Sequence, residues 1–210
     1  MTLRLLISLG ILFSSSFVFA EANCSNTPSL CNTTPSANFQ NGADIKMVEL
    51  AVRHGKSISL PLPNDWNINI SRENPNATTL KATTNKGDDV TLLATAAYIN
   101  SPLTKREKKE FIQKVRYSII SKYSQKNSNK ILMSRPIKIK KERARGHLYT
   151  FIDVELLKEK KLNRDESVYV STGVVIMDDM LFFMTILTND LKIDNYGKAF
   201  QSIQSFSRNG

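Results

Sequence analysis

The sequence has few of the residues from which most catalytic and metal centres are built. It contains two histidines, two cysteines and eight glycines among 210 residues. Because both cysteines lie near the N-terminus and neither histidine is close to them, the chain cannot build a dense Cys/His zinc site. The eight scattered glycines form no glycine-rich phosphate loop. The composition therefore predicts no cofactor and no metal site.

Long apolar runs are also absent after the first twenty residues. In that opening segment Arg4 precedes an apolar run over residues 5–19, and the sequence around Ala20 fits a cleavage site. This order predicts a signal peptide over residues 1–20, cleaved between Ala20 and Glu21. The run is shorter than the ~20 residues that span a bilayer. We therefore expect a periplasmic or secreted protein with no transmembrane segment in its mature form; a retained amphipathic anchor is the alternative.

Residues 21–45 are rich in Asn, Ser, Thr and Pro and show no hydrophobic period, which is typical of a flexible polar tether. Both cysteines, Cys24 and Cys31, lie in this segment. In an oxidising compartment such a pair predicts an intramolecular disulfide that closes a small loop in the tether. Pairing with another chain is one alternative. Metal ligation is another, disfavoured because no histidine lies nearby.

Residues 46–210 are expected to form a single α+β domain. Hydrophobic alternation predicts strands in the first part, and Thr104 with Glu107 forms a capping box that begins a helix. The next arms are joined by short loops, which indicates an antiparallel meander. A last helix is predicted to begin with Asp194 or Asn195 as its cap. The expected strands are 47–54, 57–63, 66–70, 77–84 and 89–99, and the meander arms are 131–141, 147–157, 167–177 and 180–188.

The tripeptide Arg53-His54-Gly55 has the form of the phosphate site of histidine phosphatases, in which the histidine is the nucleophile. That mechanism needs a helix N-terminus after the glycine and a second histidine in the same site. Here a strand-like segment follows Gly55, and the other histidine, His147, has no visible partner in the sequence. We therefore interpret His54-Gly55 as a hairpin turn in which Gly55 supplies a positive φ, and we predict no catalytic residues.

The net charge of the chain is +10 at pH 7, which would draw it to acidic proteins or anionic surfaces; solubility alone is the other interpretation. The basic runs are interleaved with Glu or lie at successive joints of the meander, and no aromatic row accompanies them. Nucleic acid is therefore not an expected partner. The aspartate pair Asp178-Asp179 is interpreted as turn residues.

The order of these pieces resembles the Mog1/PsbP-like fold. The resemblance lies in "GKSISLPLPNDWNI", in "VYVSTGVVIMDDMLFFMTILTND" and in the closing helix "YGKAFQSIQSF", and it covers about residues 55–207. It implies an antiparallel meander covered by helices, in an α/β/α sandwich. Members of that fold mostly act by binding, so the resemblance implies no catalytic residues.

The sequence thus favours an exported, non-catalytic module that binds a protein partner in the cell envelope, as an accessory or chaperone-like protein. The alternative is a basic module that docks on an anionic envelope surface. A hydrolase that uses Arg53-His54-Gly55 is the remaining hypothesis. Strong salt dependence of binding would separate the second hypothesis from the first.

Overall fold

A computed structural model of the protein describes residues 44–84, 89–123, 129–139, 144–159 and 166–209. The predicted signal peptide, its cleavage site at Ala20 and Glu21, and the cysteines Cys24 and Cys31 lie outside the described residues. The same holds for the predicted tether, except for its last two residues.

The described residues form ten strands, which pair antiparallel in two sheets, and two α-helices. This is the α+β class that the sequence predicted. The strands are β1 (Ile45–Ala51), β2 (Ser57–Pro63), β3 (Asn67–Asn74), β4 (Ala77–Thr83), β5 (Val90–Tyr98), β6 (Asn129–Ile139), β7 (Ala144–Asp153), β8 (Tyr169–Met177), β9 (Met180–Thr188) and β10 (Ser207–Asn209). The helices are α1 (Lys105–Tyr123) and α2 (Asp194–Gln204).

The larger sheet has seven strands in the order β3-β4-β5-β9-β8-β7-β6. Each half follows the chain as a meander, and the pairing of β5 with β9 joins the halves. The most apolar arms, β8 and β9, lie in the interior of the sheet, as the sequence predicted. This pairing fixes which residues share a face, because successive side chains of a strand point to opposite faces.

The smaller sheet has the order β1-β2-β10 and was not foreseen from the sequence. Its middle strand, β2, contains Pro61 and Pro63, residues that cannot donate a ladder hydrogen bond. The strand tolerates them because β10 pairs only with the segment from Ser57 to Ser59, so that the prolines lie beyond its end.

The two faces of the seven-stranded sheet are covered differently. One face, here called the core face, packs against the small sheet and α2. Side chains of β1, β2 and α2 pack there against those of β4, β5, β6, β7, β8 and β9 in one buried cluster, and Trp66 closes it at the start of β3. The large buried members include Leu50, Leu60, Leu80, Leu92, Phe182, Phe200 and Ile203.

The opposite face, here called the helix face, is covered in part by α1. The N-terminal half of α1 packs through Phe111 and Ile112 near Ile176 and Leu181. Its C-terminal half packs on Tyr149 and Phe151, through the apolar residues Val115, Ile119, Ile120 and Tyr123. The apolar stripe predicted for this helix is therefore confirmed.

Three local expectations need correction. Strand β7 begins at Ala144 and ends at Asp153, whereas the predicted arm is 147–157, because the ladder with β6 continues to Ala144 and Leu156–Lys158 form a short 3-10 helix. In the predicted strand 66–70 the apolar residues Trp66, Ile68 and Ile70 alternate with polar ones, which predicts one shared buried face, but Ile70 is exposed because β3 is an edge strand. Helix α2 has Ile193 as its N-cap, without a side-chain cap. Asp194 instead lies in the first turn, where it forms an ion pair with Lys198 at 3.0 Å.

Candidate functional site

The Arg53-His54-Gly55 turn joins β1 to β2, so the predicted hairpin is confirmed. Gly55 has φ 67°, as expected, and His54 is also left-handed, with φ 62°. Strand β2 begins at Ser57, so no helix N-terminus follows the glycine. The turn therefore lacks the helical phosphate cradle that the hydrolase hypothesis requires.

The exposed ring of His54 lies beside Tyr98, the last residue of β5, with ring centroids 4.9 Å apart. The ammonium of Lys56 lies 5.3 Å from the centroid of the same tyrosine ring. Tyr98 packs partly against the core-face cluster, so these contacts place the turn over the core face at the end of β5.

A network of charged side chains lies next to this turn. The carboxylate of Asp179 accepts a hydrogen bond from the ammonium of Lys56, and its Oδ1 lies 3.2 Å from Nη2 of Arg208. Asp178 lies 3.1 Å from the ammonium of Lys108 and 3.8 Å from Arg208. The network links the first hairpin, the β8–β9 turn, α1 and the last strand.

The sequence interpretation of Asp178-Asp179 as turn residues is incomplete. Asp178 is exposed, but Asp179 is only 7% exposed. The two backbone carbonyls accept hydrogen bonds from the N–H groups of Leu103 and Ile99. Three cations surround the two carboxylates, so their charge is already compensated. Within the described ranges no group of three or more potential metal ligands occurs. The network is therefore best explained as a structural clamp.

The second histidine lies on the other side of the large sheet. His147 shares the helix face with Tyr149, whose ring stacks on it with centroids 4.7 Å apart. Its neighbour Leu148 points to the core face. The two histidines therefore lie on opposite sides of a sheet, and no single site can contain both.

His147 does have a partner, which the sequence did not show. Its Nε2 lies 2.7 Å from the hydroxyl oxygen of Ser134 on the neighbouring strand. Burial lowers the pKa of His147, and the positive charge of Arg116 lowers it further. In the described part of the chain no carboxylate orients the ring, as a hydrolytic triad would need. The pair therefore resembles a cross-strand polar contact rather than an activated nucleophile.

Helix α1 presents a basic surface. The capping box is confirmed, since Thr104 N donates to Glu107 Oε2 at 2.8 Å and Glu107 N donates to Thr104 Oγ1 at 3.3 Å. The hydrogen bonds that Thr104 N and Thr104 Oγ1 donate to the Glu107 carboxylate lower the pKa of Glu107. On the solvent side, Lys109, Lys114 and Arg116 are exposed, and none of them forms an ion pair with another described residue. We name these three residues the basic patch, although at about 100° per residue only Lys109 and Arg116 lie on the same side of the helix and Lys114 lies on another side.

One solved structure has a similar architecture. The chain matches no protein-family model and no curated protein. It is similar to the solution structure of cyanobacterial PsbP (CyanoP) from Synechocystis sp. PCC 6803, with a TM-score of 0.51 and 10% identity over 81% of this chain and 95% of that chain. A crystal structure from Bacteroides thetaiotaomicron VPI-5482 matches with a TM-score of 0.38 and 11% identity, over 73% of this chain and 45% of that chain.

The first of these likenesses defines the class of the domain, an α+β domain built on an antiparallel sheet. More narrowly, the chain has a PsbP-like fold, which confirms the resemblance inferred from the sequence. None of the helices in the described ranges combines the length and the apolar character needed to cross a bilayer.

Proposed function

We propose that this protein is an exported, non-catalytic module that binds a protein partner in the periplasm or outside the cell. The binding role is the one that the fold resemblance implies. The separation of His54 from His147 supports the absence of catalysis, since among the described residues neither histidine has beside it the second group that hydrolysis needs. The α/β/α arrangement is part of the same proposal, extended by the small sheet that shares the core face with α2.

The observation that carries the binding role is the basic patch on α1. Two acidic residues of this helix are already engaged, because Glu107 caps the N-terminus and Glu110 pairs with Arg106 at 2.8 Å. Lys109, Lys114 and Arg116 are left without an ion pair among the described residues. Such a patch favours an acidic partner and speeds its association by electrostatic steering.

The test compares two triple variants of the full chain in a pull-down from envelope extract. The first reverses the basic patch through Lys109→Glu, Lys114→Glu and Arg116→Glu. The matched control makes the same change of charge at exposed lysines elsewhere, through Lys130→Glu, Lys158→Glu and Lys192→Glu. We expect the wild type and the control to retain the same partner and the patch variant to lose it. Equal retention by all three proteins would contradict the proposal.

The net charge of +10 favours a second candidate function, docking on an anionic envelope surface. Sedimentation with phosphatidylglycerol vesicles, and with phosphatidylcholine vesicles as the control, separates the two. A surface-docking module would bind the anionic vesicles with steep salt dependence. A protein-binding module would bind its partner in the absence of lipid.

The export part of the proposal includes a mature N-terminus at or near Glu21 and a disulfide between Cys24 and Cys31. Intact-mass analysis of exported protein should show loss of residues 1–20 and two fewer hydrogens than the free thiols would give. Because the bond would close a loop outside the domain, reducing it should leave the thermal midpoint nearly unchanged. Two free thiols, or a large fall in the midpoint, would be the contrary result.

A further inference from the structure

The edge strand β1 differs from the other edges of the two sheets. An unpaired edge invites pairing with another chain, and proteins usually block it with prolines, bulges, charges or short length. Strand β6 has Pro136 and a register shift between Ile131 and Met133. Strand β3 has a register shift between Ser71 and Asn74, and β10 has only three residues. Strand β1 pairs with β2 over seven residues without any shift.

The hydrogen-bond pattern shows which backbone groups of β1 face outward. Asp44 O accepts from Asn64 N, and Val52 N donates to Lys56 O, both at 2.8 Å. Residues at even positions therefore bond to β2, and those at odd positions direct their N–H and C=O groups away from it. The prolines Pro63 and Pro61 stand opposite Ile45 and Met47, which agrees with this assignment because proline cannot donate.

Three consecutive odd positions, Ile45, Met47 and Glu49, thus offer outward N–H and C=O groups, and these groups have no partner in the described part of the chain. The fourth, Ala51, is different because its carbonyl accepts a hydrogen bond from Thr78. The available edge is therefore about five residues long, from Ile45 to Glu49.

The side chains along this edge do not block its pairing with another strand. Met47 is 60% exposed and Ile45 is 37% exposed. The ammonium of Lys46 is directed back to the carbonyls of Trp66 and Asn64, at 2.9 and 3.1 Å. The carboxylate of Glu49 accepts a hydrogen bond from Ser57 of the neighbouring strand. The two charges that could protect the edge are thus engaged within the sheet, whereas apolar groups face the solvent.

We propose that the β1 edge is the docking site for an extended, acidic segment of the protein partner, which adds to the small sheet as its next strand. This inference rests on the proposed protein-binding function. Strand addition takes its affinity from main-chain hydrogen bonds and its specificity from alternate side chains. Apolar residues of the segment would contact Ile45 and Met47, and its acidic residues would be attracted by the exposed Arg53 beyond Ala51 and by the positive net charge of the chain.

A second copy of this chain fits the edge less well. Without Arg4, which the proposed cleavage removes, each copy would carry a net charge of +9, so that the two copies would repel. An extended acidic segment would instead be attracted.

The probe is a random-peptide display library selected on the immobilised full chain. We expect the selected peptides to alternate apolar residues with acidic ones. Their binding should slow amide hydrogen exchange at Ile45, Met47 and Glu49. Methylation of those backbone nitrogens of the peptide that donate to β1 should weaken binding about tenfold or more, a loss of ~1.4 kcal/mol.

Protein variants give the matching control. Met47→Pro removes one outward N–H but no bond to β2, so it should keep the fold and weaken peptide binding about tenfold or more. Met47→Lys should also weaken peptide binding, because it places a charge on the exposed edge. Ile70→Lys makes the same kind of change on the β3 edge and should leave binding unchanged. Thermal midpoints confirm that all three variants are folded.

Three outcomes would overturn the inference. The library could yield no acidic alternating peptides, the peptides could bind Met47→Pro as well as the wild type, or the wild type could form a dimer that Met47→Lys disperses. The envelope pull-down keeps the two proposals apart. If Met47→Pro retains the partner and the basic-patch variant loses it, strand addition is wrong and the proposed function stands. If the wild type retains no protein partner, the proposed function fails, whereas the peptide experiment still decides whether the edge accepts a strand.

Discussion

The two faces of the seven-stranded sheet differ in how much apolar surface they bury. On the core face the buried side chains merge into one large cluster beneath a second sheet and α2. On the helix face they fall into two smaller clusters under a single helix. The hydroxyl pairs Thr79–Thr95 and Thr172–Thr185 also lie on the helix face, at 3.0 and 2.8 Å, as does His147.

This difference indicates where stability and interaction arise. A large apolar cluster contributes most of the hydrophobic free energy of folding, since that energy grows with the apolar area buried. The helix face buries less apolar area and therefore contributes less to stability. The basic patch lies on the exposed surface of α1. We therefore expect substitutions on the core face to unfold the protein and substitutions on the solvent side of α1 to alter binding without unfolding it.

The largest effect is expected for Trp66→Ala on the core face. Trp66 is buried at the end of that cluster, so its truncation should cost about 3–5 kcal/mol of unfolding free energy. The matched substitution on the helix face is Ile112→Ala, which removes a partly buried side chain and should cost about 1 kcal/mol. Urea unfolding measures both. Equal losses would contradict the division between the faces, and a stable Trp66→Ala variant without partner binding would make Trp66 a surface anchor.

The next effect concerns the charged clamp. Asp179→Ala leaves Lys56 and Arg208 without their carboxylate and should cost about 2–3 kcal/mol, less than the ~3–5 kcal/mol of a fully buried pair, because the Lys56 and Arg208 side chains are each 21% exposed. Asp178 is 61% exposed, so Asp178→Ala should cost less than about 1 kcal/mol. The same unfolding experiment compares the two neighbours. If both variants lost the same unfolding free energy, the burial of Asp179 would not be the reason that the clamp stabilises the fold.

The elements that the sequence predicted are those whose signals are local. The capping box at Thr104 and Glu107, the apolar stripe of α1 and the alternation of β2 each lie within a few consecutive residues. Hydrogen bonds and burial within one element decide them. The interior position of β8 and β9 was also predictable, because a strand covered on both faces is apolar throughout.

The clamp and the second sheet were not predictable in this way. Lys56 and Asp179 are 123 residues apart in the chain, and β10, which pairs with β2, follows it in the chain by more than 140 residues. The contact between Ser134 and His147 depends on the β6–β7 register, which a bulge shifts. The Mog1/PsbP-like resemblance indicates the general fold, whereas these contacts depend on how segments distant in the chain pack together.

A smaller effect is expected in the turn that first suggested a phosphatase. A Cβ at Gly55 would meet no atom within 4 Å, so Gly55→Val should lose stability through its backbone alone, by about 1–3 kcal/mol. Gly55→Asn, which tolerates the left-handed region better, should lose less. His54→Ala should change stability by less than about 1 kcal/mol, as an exposed position does.

The same variants decide the hydrolase hypothesis. Purified wild type and His54→Ala are assayed on a generic phosphomonoester at acid and neutral pH. We expect no turnover that depends on His54. Activity that is present in the wild type and lost in His54→Ala would make the turn an active site and would overturn the proposed non-catalytic function.

The smallest expected effect is a pH dependence of stability that arises from His147 on the helix face. Burial, and then the charge of Arg116, lower the pKa of His147 below its ordinary value. The unfolded chain therefore takes up this proton at a higher pH than the folded protein does. The contribution of His147 to the unfolding free energy is fully present above the ordinary histidine pKa of about 6.5. It declines as the pH falls through that value towards the lower pKa of the folded state.

His147→Gln removes this titration, so the wild type should lose more unfolding free energy than the variant does between neutral and mildly acid pH. Arg116→Gln should remove only part of the difference, because burial is the larger cause of the shift. Urea unfolding across this range measures the slopes, and an NMR titration of the His147 ring measures the pKa directly. Parallel slopes for wild type and His147→Gln, or a ring that titrates at its ordinary pKa, would show that His147 is no less solvated than a surface histidine and that α1 does not seal this part of the helix face.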